Sequence, residues 1–355
     1  MAVVDTFEAP PRYLGGITNT PETVRKMVRR LGKPEELVMC YEAGTTGYGL
    51  YRQLTEMGVK CLVVAPSLVP VRPGDQVKTD RRDAIRLAQL LRAGELTEVW
   101  VPGEEDEALR DLVRARGFAK DDLRRARQRV ASFLLRHGVE LPQGTKRWSV
   151  TFLRWMDKVS LPHQPSQTAL REYLAAERET AHRVERIEAE IHAYATDSAQ
   201  APVIQALQAL RGIREITAVS LVAEIGQFSR FRSPAQLMAY SGVVPREYSS
   251  GARTWRGNIS KTGNRNVRFV LGEAAWAYRF NPAVKESLRQ RQQGLDPEVL
   301  HISMKAQQRL HRKYMGLLGR GKQTTVAITA VARELIGFIW AIACYVEQQK
   351  QAVAA

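Results

Sequence analysis

Two aspartates near residue 80 have the type and spacing of a metal-binding pair. Asp80 and Asp83 stand three residues apart at the start of a predicted helix. Residues at this spacing lie on one helix face, so both carboxylates can point at the same place. In a strongly basic chain, such a pair indicates a divalent-metal site that acts on phosphate. The alternative interpretation of the pair alone is an N-cap and a first-turn acid, which the helix dipole favours.

Glu42 is a third candidate ligand. It follows the apolar segment 37–41, which predicts a buried strand, and a turn containing Gly44 comes next. The acid is therefore expected at the carboxyl edge of a sheet, where open α/β folds place their chemistry.

A second stretch with chemical potential surrounds Ser250. Residues 246–268 contain six lysines or arginines and a single acid. A serine in such surroundings can act as a nucleophile on phosphorus, and Gly251 beside it can let a backbone approach closely. The alternative is a phosphate-binding loop without chemistry. Cations that can hold phosphate oxygens and offset transition-state charge are Arg253, Arg256 and Lys261.

Composition narrows the class of protein. The 355 residues include 53 Lys and Arg against 37 Asp and Glu, a formal charge of +16, and such a chain usually has a polyanionic partner, most often nucleic acid. The three cysteines form no CxxC pair, which disfavours zinc and a disulfide framework. The longest apolar run, 335–346, is too short to cross a bilayer. With no signal-peptide pattern at the N-terminus, we expect a cytoplasmic protein without membrane contact.

The order of predicted elements divides the chain into three regions. Residues 1–103 are α/β, and the strand–helix–strand pattern over 37–65 predicts a parallel pair with a right-handed crossover. Residues 104–200 are helical. A basic helix over 108–137 either follows a nucleic-acid backbone or is an ordinary solvated face. The pattern over 169–197 predicts a long hairpin or a coiled-coil arm. In the region 201–355, the stretch 207–218 has the pattern of a helix-hairpin-helix around Gly212.

An ordered set of short motifs gives the chain its resemblance to a known family. It resembles the insertion-sequence transposases with a DEDD active site, the group described as bridge-RNA-guided recombinases. Each motif is weak alone, but together they keep the family's order and approximate spacing from about residue 13 to 345. They are Tyr41-Glu42-Ala43-Gly44, Lys78-Thr79-Asp80 with Asp83, Leu210-Arg211-Gly212-Ile213, Tyr248-Ser249-Ser250-Gly251, Ile259-Ser260-Lys261-Thr262-Gly263-Asn264 and Ala332-Arg333-Glu334-Leu335.

The resemblance implies a fold and a chemistry. The fold is an RNase H-like (RuvC-like) mixed-sheet domain over 1–103, a helical coiled-coil middle over 104–200, and a mainly helical C-terminal transposase domain over 201–355. By that likeness Glu42, Asp80 and Asp83 are three of four acids that bind Mg²⁺, and Ser250 forms a covalent link to DNA, with Ser249 as the neighbouring alternative.

The resemblance also implies partners. These are the DNA of the element ends and target, a structured guide RNA, and further copies of the chain in a dimer or tetramer. The residues expected to bind nucleic acid are Lys78, Arg81, Arg253, Arg256, Lys261, Asn264 and Arg268.

This sequence differs from the family pattern at the first of the four acids. Asp5 has a suitable local sequence, but only about fifteen residues separate it from the helix cap at Thr20, which is room for one further strand rather than two. We therefore expect the first strand to be absent and the metal site to be incomplete. Two other functions stay open: a Mg²⁺-dependent nuclease of branched DNA in which Ser250 only binds, and a non-catalytic nucleic-acid-binding remnant.

Overall fold

The computed structural model describes residues 1–5, 9–70, 79–251 and 253–354, without the side chains of residues 254, 256, 353 and 354. It is a mixed α/β structure dominated by helices, with three two-stranded sheets among the described residues. The chain divides into two compact units, Met1–Gly103 and Glu104–Ala355.

The first unit is built on a parallel strand pair. Strands β3 and β4 pair in parallel over five residues with α2 between them, which confirms the predicted crossover unit. Helix α1 begins as predicted, because the Thr20 side chain accepts a hydrogen bond from the Thr23 backbone N–H. The elements are β1 (Ala2–Val3), β2 (Arg12–Tyr13), α1 (Pro21–Leu31), β3 (Val38–Glu42), α2 (Gly49–Glu56), β4 (Lys60–Val64) and α3 (Asp80–Ala93).

The sheet of this unit is smaller than expected. The one further strand expected between Asp5 and Thr20 is only the two-residue β2, which pairs antiparallel with β1. Gly15, two residues after the end of β2, takes a φ of +90°, a conformation that ends an extended strand. Among the described residues, β1–β2 and β3–β4 form separate sheets rather than one continuous mixed sheet.

The second unit is helical except for one hairpin. Its main core is formed by α7 to α10, α12 and α13, together with the ends of α4 and α6 that pack on them. The elements are α4 (Glu104–Arg136), α5 (Val150–Met156), α6 (Gln164–Asp197), α7 (Ala201–Leu207), α8 (Glu215–Ile225), α9 (Pro234–Ser241), β5 (Pro245–Ser250), β6 (Arg253–Ile259), α10 (Arg265–Ala275), α11 (Glu286–Gln292), α12 (Pro297–Gly319) and α13 (Thr324–Ala354).

The arm predicted over 169–197 is part of the single long helix α6, which pairs antiparallel with α4. Arg116 pairs with Glu188 at 2.6 Å and Arg127 pairs with Glu177 at 2.8 Å. Because the α4 partner moves forward eleven residues while the α6 partner moves back eleven, the two helices have opposite directions. At the far end Trp148 packs on Phe152 with ring centroids 5.0 Å apart, and the Arg127 guanidinium lies 5.0 Å from the centroid of its ring, so this tryptophan contacts both α4 and α5.

The apolar helix at the C-terminal end, α13, is longer than the apolar run from which we judged it. By length and composition its residues 324–352 would suffice to cross a membrane, whereas the uninterrupted run 335–346 indicated a segment too short. Half of the most apolar stretch is buried within the protein. Leu335, Ile336 and Ile339 are completely inaccessible and belong to the main core, so this face packs on the neighbouring helices.

Candidate active site

The two aspartates occupy the first turn of α3. Thr79 is the N-cap, because its hydroxyl accepts a hydrogen bond from the Arg82 backbone N–H at 3.3 Å. Asp80 is exposed in the first helical position, and Asp83 is half-buried one turn later. The cap is thus a threonine rather than Asp80, which leaves both carboxylates outside the capping bond.

Glu42 and Asp83 lie close to the same helix–strand contact. The Cys40 Sγ approaches the Leu87 carbonyl oxygen at 4.0 Å, which fixes α3 against β3. Glu42 is two residues beyond Cys40 on the same strand face, and Asp83 is one helical turn before Leu87. Each acid therefore lies about 6 Å along its own element from this contact.

The structure does not close a metal site around these acids. Within residues 1–5, 9–70, 79–251 and 253–354, no three Asp, Glu, His or Cys side chains lie close enough to hold one ion. Their carboxylate oxygens suit Mg²⁺ in chemical type, because Mg²⁺ prefers hard oxygen ligands. Asp5 is engaged otherwise: its carboxylate accepts a 2.9 Å hydrogen bond from Arg12 across the β1–β2 pair.

Of the cations expected near these acids, one can be placed. Arg81 is exposed and its guanidinium lies 5.6 Å from the centroid of the Tyr13 ring. Lys78 lies outside the described residues.

Ser250 is the last residue of β5, at the end of an exposed hairpin. It faces Arg253 of β6 in the strand register, and both side chains are solvent-exposed. The Ser250 hydroxyl makes no hydrogen bond with any residue that the structure describes, whereas the Ser249 hydroxyl donates to Glu247 at 2.9 Å. Gly251 takes a φ of +58°, as the turn requires, and among the described residues no atom beyond its chain neighbours lies within 4 Å of the place where a Cβ would be, so this side of the turn is open.

An aromatic pair flanks the serine. Tyr248 and Trp255 face each other across the hairpin with ring centroids 5.5 Å apart, and they are 64% and 60% exposed. Large exposed rings beside arginines are the surface on which nucleic-acid bases stack. The Arg256 side chain lies outside the described residues.

The base of the hairpin is held by backbone hydrogen bonds and close packing. The Lys261 backbone N–H donates to Gly242 and the Asn264 backbone N–H donates to Tyr240, at 3.1 and 2.8 Å. Gly263 takes a φ of +107°, and a Cβ there would lie 2.1 Å from the Tyr240 carbonyl oxygen, so only glycine fits. Lys261 itself takes a φ of +58°, which is uncommon for a residue with a side chain, while its ammonium group is exposed.

Two residues that we expected to bind nucleic acid also have internal partners. The Asn264 side-chain oxygen caps α10 by accepting the backbone N–H groups of Asn266 and Val267, at 2.9 and 3.1 Å. Arg268 donates to the Ser241 carbonyl oxygen at 2.9 Å. Burial, and then the positive charge of Arg265, lower the pKa of Arg268.

A buried carboxylate, that of Glu224, connects the base of the hairpin to the neighbouring helices. Glu224, near the end of α8, is 1% exposed and accepts two hydrogen bonds from Arg114 of α4, at 2.9 and 3.0 Å. Its oxygens also accept from the amide groups of Asn264 and Asn266, at 2.8 and 2.7 Å. The Tyr240 hydroxyl donates to its backbone carbonyl at 2.9 Å.

The charge of Glu224 is stabilised by this network. Burial alone would raise its pKa, but the hydrogen bonds from Arg114, Asn264 and Asn266 and the charge of Arg114 bring the pKa below its ordinary value. Glu224 thus stays ionised while it holds α4, α9 and the start of α10 around the hairpin base. Sequence reasoning missed it, although one signal was present: it is the single acid in the otherwise apolar stretch 216–225.

Comparison with known proteins decides the family. The protein-family model described as "Transposase IS116/IS110/IS902 family" matches residues 204–289, and a DEDD transposase model of the IS110 type matches residues 10–138. The second match contains all three acids, and the first contains Ser250 and Glu224. This chain belongs to the IS110/IS116 family of DEDD transposases.

The chain is similar, over most of its length, to several proteins that are named as transposases. A Sinorhizobium fredii protein named as transposase y4qE is 46% identical over 333 residues, covering 94% of this chain and 82% of that protein. The transposase for insertion sequence element IS1533 of Leptospira borgpetersenii is 31% identical over 84% of this chain and 88% of its own. The transposase for insertion sequence element IS1328 of Yersinia enterocolitica is 24% identical over 72% and 76%.

Proposed function

We propose that this insertion-sequence transposase joins DNA through a covalent serine intermediate formed by Ser250. The observation that carries the proposal is the placement of this hydroxyl. It is exposed, it has no internal hydrogen bond among the described residues, and it lies opposite Arg253 at the end of a hairpin with a fixed base. A nucleophile that must reach a phosphodiester needs this accessibility.

The proposed reaction is a transesterification at phosphorus. The Ser250 oxygen attacks the scissile phosphate, a serine–phosphate ester forms, and the bond from phosphorus to one deoxyribose oxygen breaks. The proton lost by the serine ends on that departing oxygen, which becomes a sugar hydroxyl. Attack by a second DNA hydroxyl on the ester then releases the serine and joins the strands, so no external energy source is required.

Arg253 and Lys261 have a supporting role in this proposal. Both side chains are exposed on or next to the hairpin, where they can bind the phosphate oxygens. Fixed positive charge near the reacting phosphate stabilises the negative charge that develops in the transition state. The rings of Tyr248 and Trp255 provide a surface on which bases next to the scissile phosphate can stack.

We further propose that Glu42, Asp80 and Asp83 would hold Mg²⁺, whose chemistry is to polarise phosphate oxygens and lower the pKa of a bound hydroxyl. Support comes from their carboxylate chemistry, from the Cys40–Leu87 contact that lies near Glu42 and Asp83, and from the DEDD family match. The proposal includes a structured guide RNA, a homo-oligomer and a cytoplasmic location, supported by the formal charge of +16 and the family resemblance.

The test is a trapped protein–DNA adduct. The full chain is incubated with DNA of the element ends, RNA from the flanking region and Mg²⁺, and the products are resolved under denaturing conditions. Ser249→Ala is the matched control, because the two serines are adjacent and only Ser250 lacks an internal partner among the described residues. We expect adduct in the wild type and in Ser249→Ala, and none in Ser250→Ala. The incomplete metal site that we expect from the sequence would lower the yield of adduct in the wild type and in Ser249→Ala alike, so the comparison between the two serines is unaffected.

The other outcomes also decide between mechanisms. Loss of the adduct in Ser249→Ala alone would assign the nucleophile to that residue. Cleaved DNA with a free 5′-phosphate and no adduct in any variant would refute the serine mechanism and favour the Mg²⁺-dependent nuclease with water as nucleophile.

A further inference from the structure

The second unit contains a pocket whose charged lining is entirely positive. It has a volume of about 320 Å³ and lies beside the glycine turn between α7 and α8 and the start of α11. Four cations line it and no Asp or Glu does: Arg211, Arg214, Lys285 and Arg291. Thr217 and Ser287 add hydroxyl groups to the lining.

Two of the cations are oriented by hydrogen bonds to backbone carbonyl groups, which do not neutralise their charge. Arg211 donates to the carbonyl oxygens of Phe280 and Asn281, at 3.3 and 2.7 Å. Arg291 donates to the Gln208 carbonyl oxygen at 3.0 Å and also to that of Ile213, which ties α11 to the glycine turn. A carbonyl orients a guanidinium without neutralising it, so both groups remain available to an anion.

The other two cations, Arg214 and Lys285, are exposed, and no carboxylate among the described residues balances their charge. Neither Arg214 nor Lys285 has an ion pair or side-chain hydrogen bond with any residue that the structure describes. The acids next to them in sequence have other partners: Glu215 contacts the His192 ring nitrogen at 2.9 Å and Glu286 pairs with Arg289 at 3.0 Å. Like-charge repulsion is therefore built into the pocket.

The pKa of Arg291 is consistent with this repulsion. Burial lowers it, and the positive charge of Arg214 lowers it further. An anion between these groups would relieve the repulsion and would be bound by planar guanidinium groups, whose fork geometry matches phosphate oxygens.

We propose that this pocket binds a phosphodiester group of DNA away from the reacting strand end, as an anchoring site for the substrate. The proposal rests on the family's action on DNA but not on the serine chemistry. It assigns Arg211 and Arg291 as fixed, oriented cations, and Arg214 and Lys285 as exposed cations that close on the phosphate.

The test is the salt dependence of DNA binding by the full chain. Each phosphate contact that is lost lowers the slope of log K against log salt by about 0.9 and weakens binding at 0.1 M salt by roughly eightfold. The probe is a fluorescein-labelled DNA duplex of roughly 30 base pairs, measured by anisotropy in EDTA at about 50 to 200 mM KCl. Because no chemistry occurs under these conditions, failure of the serine mechanism would not affect the result.

The variants separate the pocket from general charge. For Arg214→Gln/Lys285→Gln we expect a slope lower by about one to two and binding weaker by roughly eight- to sixtyfold. Arg320→Gln/Lys322→Gln, which removes the same charge from exposed positions outside the pocket, is the matched control and is expected to retain most of the affinity. Arg214→Lys/Lys285→Arg keeps the charge and should restore the slope.

Two results would overturn the proposal. The first is equal slope and affinity for the pocket and control variants, with both melting like the wild type by circular dichroism. The second is a loss confined to an RNA duplex of the same sequence, which would assign the pocket to RNA instead of DNA.

Discussion

Replacing Glu224 with glutamine should destabilise the second unit strongly, although the change is nearly isosteric. Each carboxylate oxygen of Glu224 accepts one bond from Arg114 and one from an asparagine amide. In glutamine one oxygen becomes an NH₂ group, which cannot accept and instead faces two donors. Two charge-assisted hydrogen bonds are lost. Arg114 and the buried Arg110, whose Nε lies 3.9 Å from the Glu224 carboxylate, each lose this carboxylate as an ion-pair partner.

The magnitude follows from these contacts. Hydrogen bonds to charged groups contribute about 1.5 to 3 kcal/mol each, and breaking a buried ion pair costs about 3 to 5 kcal/mol. The Arg114 side chain is 44% exposed and can be partly rehydrated, so we take about 3 kcal/mol, the lower end. For a unit of roughly 250 residues, each kcal/mol lowers Tm by about 2 to 4 °C, which gives a fall of about 6 to 12 °C.

The assay is thermal unfolding of the full chain, followed by circular dichroism at the helical signal and by calorimetry. Asp157→Asn is the matched control, because it removes the same charge from an ion pair with Arg178 in which both side chains are more than half exposed. An exposed pair contributes about 0 to 1 kcal/mol, so this variant should melt within about 4 °C of the wild type.

The pH dependence gives an independent check. Because the folded-state pKa of Glu224 is below its ordinary value of 4.5, its ionised form stabilises the fold fully at higher pH. That contribution is lost as pH falls below 4.5 and the carboxylate is protonated in the folded state. The Tm difference between wild type and Glu224→Gln should thus be constant near neutral pH and shrink in acid. Equal melting of Glu224→Gln and Asp157→Asn, or a difference that does not change in acid, would refute the reasoning.

Three further predictions follow from the same structure. Trp255→Ala should weaken single-stranded DNA binding by about 1 to 3 kcal/mol in anisotropy titrations and leave Tm unchanged, with Trp255→Phe retaining most of the affinity; equal affinity for both variants would argue against stacking. Gly263→Ala should lower Tm by several degrees, because its Cβ would meet the Tyr240 carbonyl oxygen, and a wild-type Tm would show that the turn can relax. Asp83→Asn should abolish adduct formation in Mg²⁺ while duplex binding in EDTA persists; full adduct formation would remove Asp83 from the metal site.

The parts of the fold that sequence predicted are those with local causes. Helix α1 begins at Thr20 because a threonine cap and Pro21 act within one turn, and the β3–β4 pair follows from apolar runs separated by one helix. The antiparallel arm follows from helical periodicity and charge. In contrast, strand β2 is cut short by the backbone conformation at Gly15, which the alternation of apolar residues does not reveal.

The residues of the candidate site likewise differ in whether local sequence reveals them. Ser250 could be found from sequence, because cations and small residues cluster around it in a single stretch. Glu224 could not, because the partners of its carboxylate come from two distant stretches: Arg114 is 110 residues away, and Asn264 and Asn266 are 40 and 42 residues away. An acid in an apolar helix signals a buried partner, but only the packing of α4, α8 and α10 shows which residues those partners are.

The base and the tip of the hairpin should contribute to different quantities, the base to the stability of the unit and the tip to DNA binding or reaction. At the base, the Glu224 network and the close approach of Gly263 to Tyr240 connect several helices, so changes there alter the stability of the whole unit. At the tip, Ser250, Arg253 and Trp255 are exposed, and changes there should alter only DNA contacts or chemistry. In the mechanism that we propose, a rigid base orients the Ser250 hydroxyl before DNA binds, since a tip on a loose base would have to be ordered in each turnover at a cost in conformational entropy. Substitutions in this hairpin should therefore fall into two groups, those that lower Tm and those that lower affinity or rate at unchanged Tm, with the boundary between them near residues 259–261.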